Sequence, residues 1–200
     1  MAIYHVTIEG VSALLQHRFD EEAESDEPVR GQHRAKKTPR EKAEQAAYRN
    51  KAGNLYHPGS ALARLLREAG ASHKERGSRR SVKYIVPAAV IVVEDAIELH
   101  SAAGEPLRDY EVDSRPVVIP STKGRIMSHR PRSDKWQMSF TLEVDEQLMD
   151  AELVHQLLEE GGRRLGIGDY RPEKGGPFGR FAILTWEKEG EAKPRRRART

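Results

Sequence analysis

None of the 200 residues is cysteine, which excludes a disulfide framework and any thiolate metal site. A long apolar run is also missing: the longest, residues 85–93, is broken by Pro87 and is too short to span a bilayer. The opening MAIYHVTIEG has no signal-peptide core, so a cytoplasmic protein with no membrane partner is expected. Aromatic residues are scarce at 6%, and apolar residues reach only 37% against 32% charged. That balance fits a single domain over residues 1–187 with solvated appendages, the excess charge lying at 20–51 and in a basic tail, 188–200, read as disordered.

A net charge of +3 does not by itself identify a polyanion ligand; its distribution says more. Acidic residues gather at 20–27 and 145–160, whereas lysine and arginine gather at 74–83, 123–135, 163–180 and 193–199. Segregation of this kind produces a basic face.

Periodicity gives the order of elements. Tyr4, Val6 and Ile8 alternate with Ile3, His5, Thr7 and Glu9, the two-residue period of a half-buried strand. Residues 20–37 have almost no apolar content and read as a mobile insertion. Thr38-Pro39-Arg40-Glu41 is a capping box with proline at the first helical position, which predicts a helix from Pro39 to about Ala52. After Gly59, the stripe Ala61, Leu62, Leu65, Leu66 and Ala69 predicts a second helix that packs on the core.

Residues 82–94 read as a strand, or a strand pair bent at Pro87, and 115–120 as a shorter strand. Residues 135–145 alternate most clearly, with Trp136, Met138, Phe140, Leu142 and Val144 inward. Asp150 is placed to cap a helix carrying Leu153, Val154, Leu157, Leu158 and Leu165, with Gly161 and Gly162 marking close packing. Residues 181–186 form a final strand. The core order is therefore βαββαβ, an α+β ferredoxin-like or RRM-like arrangement with charged insertions at 20–51, which includes the helix, and at 101–135, read as a loop.

Three basic stretches are candidates for function. In the glycine-rich segment 166–179, Gly166, Gly168, Gly175 and Gly176 permit close approach of a phosphate backbone. Arg164, Arg171, Lys174 and Arg180 supply charge there, and Tyr170 or Phe178 can stack on a base. The plain alternative is a helix-to-strand turn with solvated charges. It is not a P-loop, since it follows a helix and lacks the Gly-Lys-Ser/Thr ending. The second stretch, read as a loop before Trp136, offers Lys123, Arg125, Arg130, Arg132 and Lys135; the third offers Arg79, Arg80 and Lys83. The eight histidines form no paired metal motif, and His17, His57 and His129 read more simply as exposed side chains than as acid–base groups. No metal, cofactor or catalytic residue is expected.

A family resemblance rests on Val6-Thr7-Ile8-Glu9-Gly10-Val11-Ser12-Ala13-Leu14-Leu15-Gln16-His17, the helix start at Gly59 and Asp113-Ser114-Arg115-Pro116-Val117. It continues through the basic stretch to Trp136, Gly166-Ile167-Gly168-Asp169-Tyr170-Arg171-Pro172 and Gly179-Arg180-Phe181. These residues resemble a group of small phage and prophage proteins, itself similar to the backbone subunits of the CRISPR-associated RAMP superfamily, which serve antiviral defence. The resemblance implies an RRM-like core and contact with nucleic acid through basic loops, in several copies along one strand.

The combined expectation is a non-catalytic protein binding single-stranded nucleic acid, RNA in preference to DNA, as a homo-oligomer or a ribonucleoprotein subunit. Two alternatives stand beside it. One is a metal-independent endoribonuclease using His17 or His129 with Lys123 or Arg125; the other is a phage interaction protein imitating a subunit of a host complex.

Overall fold

The computed structural model describes residues 1–19, 37–75, 77–118 and 123–190. The expected mobile insertion, apart from Lys37, and residues 191–200 of the expected tail lie outside the described residues.

Alternation in the first strand, β1 (Ala2–Gly10), sends Tyr4, Val6 and Ile8 into the core at 4%, 1% and 0% exposure. With one face committed to the core, pairing is fixed on both edges. β1 runs antiparallel to β8 (Gln137–Val144) with Val6 opposite Phe140, and antiparallel to β9 (Phe181–Lys188) with Val6 opposite Trp186. β4 (Val90–Val92) completes this sheet on the far edge of β8, giving the order β4-β8-β1-β9. Two helices cover its buried face: α2 (Gly59–Ala69), after β1, and α4 (Ala151–Arg164), between β8 and β9. Taken along the chain, β1, α2, β4, β8, α4 and β9 form the βαββαβ order of a ferredoxin-like core.

α4 meets α2 through Gly161 and β9 through Gly162. A Cβ added at Gly161 would stand 2.3 Å from Leu65 Cδ2, and one at Gly162 would stand 2.6 Å from the Phe181 carbonyl oxygen. Leu62, Leu65, Leu66, Val154, Leu157 and Leu158 fill the remaining contact and are buried. Asp150 takes the extended backbone of a helix cap, but its side chain makes no capping hydrogen bond.

Around this core the chain departs from its expected course in three places. The capping box forms, with Thr38 N–H donating to Glu41 Oε2 at 2.6 Å, but helix α1 (Pro39–Gln45) ends early rather than near Ala52. At its end Ala46 O accepts from Arg18 N–H at 2.9 Å and Tyr48 N–H donates to Gln16 Oε1 at 3.1 Å, and beyond it Asn50 Oδ1 holds a separate turn by accepting from Ala52 N–H and Asn54 N–H, each at 3.0 Å. Residues 82–94 form no long strand; a 3-10 turn (Val82–Tyr84) leads into a four-residue helix, α3 (Val86–Ala89), and only β4 is extended. Pro87 occupies the first turn of α3, where its missing N–H has no intrahelical partner to lose.

The third departure concerns residues 101–135, read as a loop. Strand β6 (Glu111–Val118) and strand β7 (Arg125–Ser133) pair antiparallel from Glu111 opposite Arg132 to Val118 opposite Arg125. β7 also pairs with the short β2 (Leu14–Leu15), making a separate three-stranded sheet, β2-β7-β6. Most hairpin residues are exposed or only partly buried, and the buried ones include Asp113 and Arg130, so it carries no apolar alternation by which to be recognised. A further pair joins β3 (Tyr56–Pro58) to β5 (Ala96–Glu98). No helix among the described residues is long and apolar enough to cross a membrane.

Gly161 is the tightest point between the helices. Gly161→Val is expected to cost about 1–3 kcal/mol through overpacking against Leu65, read as a lower urea midpoint with an unchanged slope.

Candidate nucleic-acid interface

The glycine-rich segment begins where α4 stops. Gly166, at φ +68°, takes the left-handed conformation that ends the helix, and its N–H returns to Gly161 O at 2.9 Å. The segment then docks on the chain around β2: Asp169 N–H donates to Leu15 O and Gly179 N–H to Ala13 O, both at 2.8 Å, while Ile167 N–H donates to Gly179 O at 2.9 Å. Ile167 and Phe178 are buried beneath it.

The glycines mostly serve this internal packing. A Cβ at Gly168 would lie 2.4 Å from Leu15 O, and one at Gly176 would lie 1.8 Å from Tyr170 O. Gly175, in contrast, faces open space, next to the exposed Lys174.

On the other side of β2, the β6–β7 hairpin meets the segment through arginines. Arg130 has a side chain only 9% exposed, and its Nε stands 2.5 Å from Asp169 Oδ2, an ion pair outside hydrogen-bond angles. His17 Nδ1 lies 3.8 Å from the same carboxylate oxygen. Arg115 sits over the Phe178 ring at 4.5 Å and 5.9 Å from the Tyr170 ring; Arg132 is 6.0 Å from Phe178. Tyr170 itself has φ +48°, uncommon for a residue with a side chain, and its ring remains 39% exposed. Docking thus produces one band of guanidinium and aromatic groups from three stretches distant in sequence.

Lys123 and Arg125 at the hairpin tip, and Lys135 just beyond the other end of β7, are exposed and form no ion pair with another described residue. Val118, Ile126 and Met127 are about half exposed near the same tip, at 55%, 51% and 51%. Arg132 pairs with Asp134 at 2.6 Å, a contact that solvent weakens, whereas Arg115 is held at 2.7 Å by the buried carboxylate of Asp113.

Other expected residues are placed elsewhere. Arg79 and Arg80 are exposed in the turn after α2, where Arg80 reaches Glu75 at 4.0 Å, and Lys83 is paired with Glu68 at 2.7 Å. Arg164 lies 3.5 Å from Glu160 on α4. Arg180 is half-buried, its backbone N–H donating to Ser12 Oγ at 3.0 Å. Arg171 turns inward to donate to Gly168 O at 2.8 Å and to Glu173 at 2.6 Å.

The open face of the four-stranded sheet is chemically unlike this band. Its described positions include Glu9, Glu143 and Glu187 with Thr7, Ser139 and Thr141, and no lysine, arginine, Phe, Tyr or Trp from β1 or β8. Base stacking across the sheet, the usual RRM mode, has only the exposed His5 ring from β1 and β8 to perform it.

His57 departs most from its expected state. It is 3% exposed rather than solvated, and neither ring nitrogen has a hydrogen-bond partner. Burial, reinforced by the Arg171 cation, drives its pKa down to about 4. Its ring borders a cavity of about 350 Å3 between α2 and the start of the glycine-rich segment. His129, by contrast, is hydrogen-bonded through Nδ1 to Ser114 Oγ at 2.7 Å. Among the described residues, no cluster of three or more His, Cys, Asp or Glu side chains is placed to hold a metal ion.

No protein-family model matches the chain, and no curated protein matches it by sequence. Among solved structures, the chain is similar to the crystal structure of Cmr6 from Pyrococcus furiosus, at 13% identity over 90% of this chain and 97% of that one, with a TM-score of 0.38.

Two outcomes follow from the geometry. Asp169→Ala leaves Arg130 buried opposite nothing and is expected to lower stability by about 1–3 kcal/mol, whereas exposed Lys135→Ala should change it little; urea unfolding compares the two. For His57, the unfolded chain takes up a proton near pH 6.5 that the folded chain refuses until about 4. Stability therefore falls as pH is lowered through that window, by roughly 2–3 kcal/mol between pH 7.5 and 4.5. His57→Gln should remove that share of the slope, measured as the difference between urea midpoints at the two pH values.

Proposed function

We propose that the chain is a non-catalytic protein that binds single-stranded nucleic acid, RNA in preference to DNA, in several copies along the strand. The observation that supports this best is the band formed where the glycine-rich segment meets the hairpin. There Arg115 and Arg132 lie against Phe178, with Tyr170 exposed beside Arg115.

Arginine and lysine on this face neutralise phosphates, and the exposed Tyr170 ring gives one base a surface to stack on. The hairpin tip joins Lys123 and Arg125 to the apolar side chains of Val118, Ile126 and Met127. In this reading the cations grip the backbone while the apolar tip enters between neighbouring bases. Such a tip reaches past its own band, so the base step it parts belongs to the strand held by the next copy. Contact is predominantly electrostatic and carries little sequence preference.

Fluorescence polarisation of labelled single-stranded RNA and DNA at two salt concentrations tests the reading. With about four phosphates neutralised, affinity is expected to fall roughly 50-fold between 50 and 200 mM salt. Replacing Lys123, Arg125 and Arg132 together by alanine should flatten that dependence, and RNA should bind more tightly than DNA. Absence of binding at low salt would sink the proposal.

A further inference from the structure

The cavity behind the glycine-rich segment is lined by groups that the exposed band does not use. Its volume of about 350 Å3 is bordered by α2 on one side and residues 165–173 on the other. His57 lines it with both ring nitrogens unpartnered, although the side chain is almost wholly buried. A buried imidazole in that state has forfeited its hydrogen bonds to water without replacing them.

Immediately after His57 the chain enters α2 through Pro58, which has no N–H and makes no side-chain cap. The Gly59 N–H is taken by Asp95 O at 2.9 Å. The next two amides belong to Ser60 and Ala61, both on the cavity wall, and helix geometry gives neither a partner within α2. The positive end of the helix dipole is at the same place. One turn on, Arg64 pairs with Glu173 at 2.9 Å, and Arg171 pairs with the same carboxylate at 2.6 Å. Two guanidiniums sharing one carboxylate leave a positive charge over. The other acids of the wall are already engaged, Asp169 by Arg130 and Glu68 by Lys83. Leu65, Leu165 and Ile167 add apolar surface to the same wall.

We propose that this cavity binds a phosphomonoester, with the Ser60 and Ala61 amides, the His57 ring N–H, Arg64 and Arg171 as its donors. Its volume accommodates a phosphate with the attached sugar. That chemistry has two sources: the terminal phosphate of a nucleic-acid strand, which rests on the function proposed above, and a free mononucleotide, which stands without it.

The test uses the full chain and four probes: inorganic phosphate, a nucleoside 5′-monophosphate, and a short single-stranded RNA with or without a 5′-phosphate. Binding is followed by calorimetry and by the NMR resonances of the His57 ring. Phosphate-bearing probes are expected to shift those resonances. Glu173→Gln, which frees two arginines from their internal partner, should tighten phosphate binding roughly tenfold, and Arg64→Gln should weaken it by a similar factor. A gain of affinity cannot arise from misfolding, so the first variant guards the second. Stronger binding of the phosphorylated RNA over the mononucleotide assigns the site to strand ends; equal or better binding of the mononucleotide assigns it to free nucleotide. RNA that fails to bind while phosphate still shifts His57 removes the strand-binding reading and leaves the pocket standing. No His57 shift with any phosphate probe, or weaker binding by Glu173→Gln, overturns the pocket itself.

Discussion

Asp169 is the point at which the glycine-rich segment is fastened to the rest of the chain. Its N–H donates to Leu15 O, and its carboxylate stands against the nearly buried Arg130 of β7 and faces His17. A charge as enclosed as that of Arg130 requires a counter-charge, because desolvation without one costs several kcal/mol. Satisfying it draws three distant stretches together: residues after β2, the second strand of the hairpin, and the segment leaving α4. The placement of Tyr170 beside Arg115, and of Phe178 beneath it, follows from that attachment. So does the cavity, since the same segment provides one of its walls.

Glycine has a different part in this arrangement from the one its abundance suggests. Around Asp169 the segment folds back so tightly that carbonyl oxygens of Leu15, Tyr170 and Ile167 occupy the places where side chains would begin at Gly168, Gly176 and Gly179. The close approach that glycine permits is made by the protein's own backbone. A polyanion meeting this region finds side chains, chiefly arginine and tyrosine, and only Gly175 presents open main chain.

How much of this was legible in the sequence depended on whether a segment buries one face. β1 and β8 alternate because one side of each is in the core, and α2 and α4 show stripes for the same reason, so their existence and order could be read directly. Of the β6–β7 hairpin only a short strand at 115–120 was readable, overlapping β6; β7 was not, because its buried positions hold polar residues and proline rather than an apolar alternation. α1 stops where Ala46 and Tyr48 bond to Arg18 and Gln16, distant partners that helix propensity does not anticipate. Within the candidate interface, charge clusters were visible as composition, but their company was not. Arg115 lay outside every basic run and joined the band only through pairing of β6 with β7. His57 had the local surroundings of a loop histidine, but it stands on β3 opposite Ile97 of β5 and beside the Tyr48 ring, partners that its sequence neighbours do not announce.

The glutamates on the open sheet face bear on encounters as much as on contacts. With Glu9, Glu143 and Glu187 on that face and arginines along the hairpin, two surfaces of the molecule differ in charge. In the field of any polyanion it experiences a torque before it touches, turning the hairpin forward and the sheet away. Collisions in the wrong orientation are repelled rather than trapped, which shortens the search for a productive one. The advantage fades as salt shrinks the range of the field to about 8 Å at physiological ionic strength. An acidic sheet that touches no polyanion can thus still govern how quickly the basic hairpin arrives.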